Sequence, residues 1–111
     1  YFRYYNNRSI NAIDNHLHTI ILFDFVNNKY IGYSHIDIDN NINWLGIYIN
    51  KDYQNKNLGK ILLNYTLLQC NKSIVSLSVD IDNLKAINLY KNNNFKIIET
   101  KKYYYIMEKR L

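Results

Sequence analysis

The chain has 111 residues, 48% of them hydrophobic, and a formal charge of +5. That length predicts one compact domain, and the apolar share supplies a core while leaving no polar tract that would stay disordered. No run approaches the ~20 apolar residues that span a bilayer, no secretory pattern is present, and a lone cysteine, Cys70, excludes an internal disulfide; the expectation is a cytoplasmic protein in a reducing compartment. The basic excess fits a nucleic-acid surface, a pocket for a phosphorylated ligand, or a solvated lysine-rich surface.

The chain begins at Tyr1 without a methionine, as expected of a processed chain or a piece of a longer one. A short helix is predicted around Arg8 to Asn15, with Ile10, Ile13 and Leu17 on one side. Thr19 to Val26 is β-rich and ends at the turn pair Asn27-Asn28. Tyr30 to Asp39 alternates, with Ile31, Tyr33, His35 and Asp37 on one face, and turns at Asn40-Asn41 into a third strand, Asn43 to Asn50. Leu58, Ile61, Leu62, Tyr65 and Leu68 recur at helical spacing. Ser73 to Asp80 reads as a strand. Asp82 or Asn83 caps a helix carrying Ala86, Ile87, Leu89 and Tyr90, which stops in Asn92-Asn93-Asn94. Phe95 to Lys101 and Tyr103 to Lys109 complete a mixed α/β layout, one sheet with helices packed on it.

The junction of strand, loop and helix at Tyr53 to Lys60 (YQNKNLGK) holds one of only three glycines. The first amides of a helix lack internal partners and its dipole adds positive charge, so an anion fits there. Gly59 permits close approach, and Lys56 and Lys60 flank the turn. A Walker A loop would need glycine at Gln54 and Ser or Thr at Ile61. The dinucleotide fingerprint fails for want of glycines.

Gln54 to Lys60 resembles the Gln/Arg-x-x-Gly-x-Gly/Ala motif of the GNAT family of N-acetyltransferases. Asn83, Ala86, Leu89, Tyr90 and Phe95 resemble that family's second hallmark, Asn-x-x-Ala-x-x-Leu-Tyr-x-x-x-Gly-Phe, in the right order and spacing. The resemblance is best over Tyr30 to Lys109. It implies a mixed, mostly antiparallel sheet with helices on both faces, in a single GNAT-like domain over residues 1–111 that lacks the family's first strand and helix, Tyr1 to His18 standing as its second helix. Asn57 and Asn94 occupy usual glycine positions; both are expected to adopt a left-handed backbone, which Asn tolerates best among non-glycine residues.

By the same resemblance, acetyl-CoA is the co-substrate and no metal is required. The implied cofactor-binding residues are Ile47, Tyr48, Ile49, Gln54, Asn55, Lys56, Asn57, Leu58, Gly59, Lys60 and Asn83. Backbone groups of Ile47 to Ile49 would pair with pantetheine like an added strand, and an N–H near Ile49 would hold the oxyanion. Tyr90 is the implied acid for the departing thiolate, with a buried helix-face tyrosine as the alternative. The base positions of some relatives fall at Ser78 and Asn43, so His35 is the candidate base, with Asp37 on its strand face. A half-exposed strand histidine and a solvated turn aspartate, or a water chain serving as base, are the alternatives.

Trp44 stacks on a substrate or packs in the core. His16 and His18 lack a third ligand, which argues against a metal, and Cys70 lacks the positive surroundings that activate a thiolate. The basic residues are scattered apart from Lys96, Lys101, Lys102, Lys109 and Arg110, which argues against a nucleic-acid face. The expected acceptor is a small primary amine, an amino sugar on a nucleotide being one form. A protein N-terminal amine, or a binding module that has lost catalysis, are the alternatives. The tyrosine-rich final strand suits edge pairing in a homodimer.

Overall fold

Asparagine does at the turns of this chain what glycine usually does. Among the described residues, every non-glycine residue with positive φ is an Asn: Asn28, Asn40, Asn41, Asn55, Asn57 and Asn94, with φ from 51° to 71°, while no glycine has positive φ. Asn57 and Asn94 thus take the left-handed backbone expected of them. The computed structural model describes residues 16–70 and 72–111, apart from the side chains of residues 16–18.

The elements are β1 (His16–Asp24), β2 (Lys29–Asp39), β3 (Ile42–Ile49), a 3-10 turn (Lys51–Tyr53), α1 (Leu58–Gln69), β4 (Ile74–Asp80), α2 (Leu84–Asn92), β5 (Lys96–Thr100) and β6 (Tyr104–Arg110). The helix expected around Arg8 to Asn15 lies outside the described residues. The helical assignment of Tyr1 to His18 is corrected at its end: residues 16–18 belong to β1, with His16 opposite Asp37 and His18 opposite Ile36. Pairing with a long neighbour extends the strand beyond the β-branched run that marked it in sequence.

The strands form one sheet in the order β1-β2-β3-β4-β6-β5. All neighbours run antiparallel except β3 and β4. β2, flanked by β1 and β3, is continuously buried from Ile31 to Asp37, so the alternatives of a half-exposed His35 and a solvated Asp37 are corrected to 5% and 3% exposed. Leu63 of α1 and Ile87 and Tyr90 of α2 share one core with Ile36, Leu45, Val75, Leu77, Val79, Phe95 and Met107.

Helix α1 buries Leu62, Leu63 and Thr66; of the predicted stripe Leu62 is buried, while Ile61, Tyr65 and Leu68 are exposed. The buried face is turned by roughly 100° from the expected one, at 3.6 residues per turn. A polar pair sets this rotation. Thr66 Oγ1 donates to the Leu62 carbonyl; its only proton being used, the buried Ser34 hydroxyl of β2 donates to Thr66 Oγ1. Small hydroxylated residues on both sides let helix and strand approach closely, which hydrophobic periodicity does not register.

β3 and β4 meet in register at Trp44 opposite Ser76. Beside that pair, Asn43 Nδ2 donates to the Ile74 carbonyl at 2.9 Å. Beyond it the strands part, and the edge of β3 from Leu45 to Ile49 has no β4 residue in register.

Candidate active site

Where β3 and β4 part, a cleft of about 320 Å³ opens between the end of β3, the loop into α1 and the first turns of α2. Ile47, Tyr48, Ile49, Tyr53, Gln54, Asn55, Asn57, Leu58, Gly59, Asn83, Lys85, Ala86, Leu89 and Tyr90 line it. The volume lies within the range of small-molecule sites.

The loop end of the cleft is an open helix start. Asn57, the N-cap of α1, is left-handed (φ 62°, ψ 10°) and its side chain makes no capping hydrogen bond. The first backbone bond into the helix runs from Ile61 N–H to the Asn57 carbonyl, so the N–H groups of Leu58, Gly59 and Lys60 have no partner within the helix. A Cβ on Gly59 would sit 3.5 Å from Leu89 Cδ2 and 3.9 Å from Ile49 Cγ1, ordinary contacts with two cleft-lining side chains. The fold therefore does not need glycine here. Helix α2 differs: the Asn83 side chain accepts from Ala86 N–H at 3.3 Å and caps it as expected.

The loop is fastened from both sides. Gln54 Nε2 donates to the Ile49 carbonyl at 3.0 Å. The Tyr53 hydroxyl donates to Asp24 Oδ2 at 2.8 Å, and Asp24 also accepts from Val26 N–H, Asn27 N–H and Asn27 Nδ2 in the β1–β2 turn. Asn27's side chain and backbone, then Tyr53, lower the Asp24 carboxyl to about 2. Lys56 Nζ lies over the Tyr53 ring, 5.8 Å from its centre.

At the other end, Tyr90 meets Phe95 edge-on, ring centres 5.6 Å apart. The Asn94 turn brings this about: Phe95 N–H bonds back to the Tyr90 carbonyl at 3.0 Å, folding the chain under the helix end. Tyr90 is 7% exposed, and burial pushes its phenol up to about 12.

Of the residues expected from sequence, Ile47, Tyr48, Ile49, Gln54, Asn55, Asn57, Leu58, Gly59, Asn83 and Tyr90 line this one cleft. Lys56, Lys60 and His35 do not. His35 is buried on β2 opposite Gly46, where any Cβ would lie 2.3 Å from its Nε2, and its Nδ1 is 3.3 Å from Asp37 Oδ1. Burial, followed by the charge of Asp39, raises Asp37 to about 6. Ser78 is exposed on β4, and Asn43 serves as the strand clamp.

Sequence reading missed three contributors: Lys85, Tyr53 and the clamp at Asn43. A signal existed for Lys85, because a cation in the first turn of a helix opposes the dipole and needs an outside reason. Among the described residues no group of three or more His, Cys, Asp or Glu side chains is placed to hold a metal. No described helix is long and apolar enough to cross a membrane.

The family model described as the acetyltransferase (GNAT) family matches residues 1–95. A GNAT-family acetyltransferase from Streptococcus pneumoniae is 30% identical with a TM-score of 0.67, over 88% of this chain and 68% of its own. The PaiA N-acetyltransferase from Thermoplasma acidophilum, solved in complex with coenzyme A, is 27% identical with a TM-score of 0.72, over 92% of this chain and 66% of its own. The chain thus spans about two thirds of each. Mutant forms of the spermidine/spermine N-acetyltransferase from Vibrio cholerae share the fold at a TM-score of 0.70 and 17% identity, over 98% of this chain and 72% of theirs. No curated protein matches the chain.

Proposed function

The chain belongs to the GNAT acetyltransferase family, and from that premise we propose that it is a single GNAT-like domain that moves an acetyl group from acetyl-CoA directly to a primary amine. The observation that carries this is the cleft joining an uncapped helix start to a buried tyrosine along the end of β3, which has no β4 residue in register. The free amides of Leu58, Gly59 and Lys60 suit a pyrophosphate. The edge from Ile47 to Ile49 suits the amide-bearing pantetheine arm, which would add to it as a strand. Asn83, already capping α2, lies on the wall of the same cleft.

Acetyl-CoA brings an activated acyl thioester; the chain's residues orient it and handle charge and protons. The amine nitrogen bonds to the acyl carbon while a backbone N–H near Ile49 stabilises the negative oxygen, a contact commonly worth ~3 kcal/mol. The C–S bond then breaks. Tyr90 donates its proton to the departing sulfur and recovers one from the ammonium formed on the acceptor. With this shuttle the proton lost by the amine ends on the thiol, and no separate base is consumed. His35, outside the cleft, then serves structure rather than proton abstraction. The acceptor must arrive as the neutral amine.

A small amine, such as an amino sugar carried on a nucleotide, is the proposed acceptor. A net charge of +5 makes the chain a poor host for a basic peptide tail. Calorimetric titration with acetyl-CoA and with CoA, followed by thiol release over a panel of amines that includes peptides with free N-termini, tests the reading. One-to-one binding and turnover with a small amine support it, and turnover with the peptides alone reassigns the acceptor. Binding without turnover makes the chain a GNAT-fold binding module, and no binding refutes the assignment of the cleft.

A further inference from the structure

Lys85 is the one cation among the residues lining the cleft. It stands in the first turn of α2, a helix with no acidic residue there, where the dipole opposes positive charge. Its side chain is exposed, yet its ammonium is engaged. It donates to the Asn55 Oδ1 carboxamide on the opposite lip, thirty residues earlier in the chain. Asn55 itself has φ 64°, which turns this part of the loop across from α2. A neutral amide satisfies one N–H of the ammonium without neutralising its charge, in the cleft that Leu58 and Gly59 of the helix start also line.

From this juxtaposition we infer that Lys85 is a phosphate-binding residue that exchanges Asn55 for the cofactor. In the free protein Lys85 straps the two lips of the cleft together. When a phosphorylated ligand enters, the ammonium transfers to a phosphate oxygen and the strap to Asn55 opens. The charge that selects a phosphorylated cofactor over its uncharged pantetheine portion therefore comes from α2, not from Lys56 or Lys60 beside the loop. The inference rests on the cofactor reading given above and assigns a residue to it.

Three ligands separate the possibilities: CoA, dephospho-CoA, which keeps the pyrophosphate but lacks the 3′-phosphate, and pantetheine, which has neither. Affinities are measured by calorimetry at low and at moderate salt for the parent chain, for Lys85→Met, and for Asn55→Gly, which keeps the left-handed turn and removes the strap. Lys85→Met is expected to weaken CoA about tenfold, the scale of one exposed charge-assisted hydrogen bond, to flatten its salt dependence, and to leave pantetheine unchanged. Weakening of dephospho-CoA as well places the contact on the pyrophosphate; its absence places the contact on the 3′-phosphate. Asn55→Gly is expected to bind CoA as tightly as the parent or tighter. If the parent binds CoA and Lys85→Met binds it equally well with the same salt dependence, Lys85 is only a structural strap and the inference is overturned. If the parent does not bind CoA, the cofactor reading fails and takes the inference with it.

Discussion

Gly59→Ala separates a glycine kept for the fold from one kept for a ligand. The added methyl would meet Leu89 Cδ2 at 3.5 Å and Ile49 Cγ1 at 3.9 Å, and the backbone φ is not positive, so neither collision nor strain follows. Alanine in a helix is favoured over glycine by up to ~1 kcal/mol, less in a first turn. The thermal midpoint is therefore expected to stay level or to rise by a few degrees, since ~1 kcal/mol shifts a domain of this size by about 4–8 °C at most. Binding should move the other way. The methyl would stand against Leu89 and Ile49, two walls of the cleft, and narrow the approach to the helix start. Loss of one charge-assisted contact to a phosphate costs about 1.5–3 kcal/mol, or ten- to a hundredfold in Kd. Calorimetry with CoA alongside a thermal melt reads both, and Lys60→Met, on the same turn but outside the cleft lining, is the control expected to shift Kd little. An unchanged Kd for Gly59→Ala would refute phosphate approach at this helix start. A midpoint lower by several degrees would show instead that internal packing demands the glycine.

Tyr90→Phe removes only a hydroxyl and keeps the edge contact with Phe95, so CoA affinity is expected within about twofold while kcat falls ~10²–10⁴-fold; equal loss of both would make Tyr90 a packing residue. Because the phenol is held up to about 12, no alkaline fall in rate is expected near the usual tyrosine value, and kcat/KM should rise with pH along the titration of the acceptor amine. A limb near the ordinary histidine value that disappears in His35→Gln would return the base role to His35. Asn57→Gly relieves the left-handed strain at a residue whose side chain caps nothing and is expected to leave CoA affinity equal or improved; weaker binding would mean that the Asn57 amide itself holds the ligand. Two carboxyls shape the pH dependence of stability in opposite senses. Asp24, lowered from 3.8 to about 2, stabilises the fold fully above about 4 and loses that contribution as pH falls toward 2. Asp37, raised from 3.8 to about 6, favours the fold at low pH and withdraws that contribution as pH rises from about 4 to 6. Thermal melts of Asp24→Ala should lose the acid limb, and those of Asp37→Asn the decline between pH 4 and 6; unaltered limbs would refute these assignments.

The order of strands and helices was legible because most are bounded by turns that contain Asn, the Lys101-Lys102-Tyr103 turn between β5 and β6 excepted, and each carries its own period. The loop at Gln54 to Gly59 and the cap at Asn83 were legible for a related reason: amides at a helix start and a capping side chain act within a few residues of sequence. What escaped was set by contacts distant in sequence. Thr66 pairs with Ser34 and rotates α1, Asn43 reaches Ile74, and Lys85 reaches Asn55. The extent of β2 burial was hidden too, since polar His35 and Asp37 sit where alternation suggests an outward face. Lys56 and Lys60 drew attention by adjacency to the glycine, yet a helix start turns successive side chains by ~100°, and neighbours along the chain need not share its cleft.

The junction at Trp44 and Ser76 divides the sheet into two three-stranded blankets, β1-β2-β3 and β4-β6-β5, stitched at one point and by the Asn43 clamp. Native-state hydrogen exchange sorts a protein into cooperative units of this kind. Amides within each blanket should exchange with a common protection, and those at the seam should open earliest. A ligand lying along β3 where β4 has parted from it would then be a seventh strand in all but covalent bonds. Its arrival would merge two unfolding units into one, so that cooperativity, and not the midpoint alone, would report occupancy.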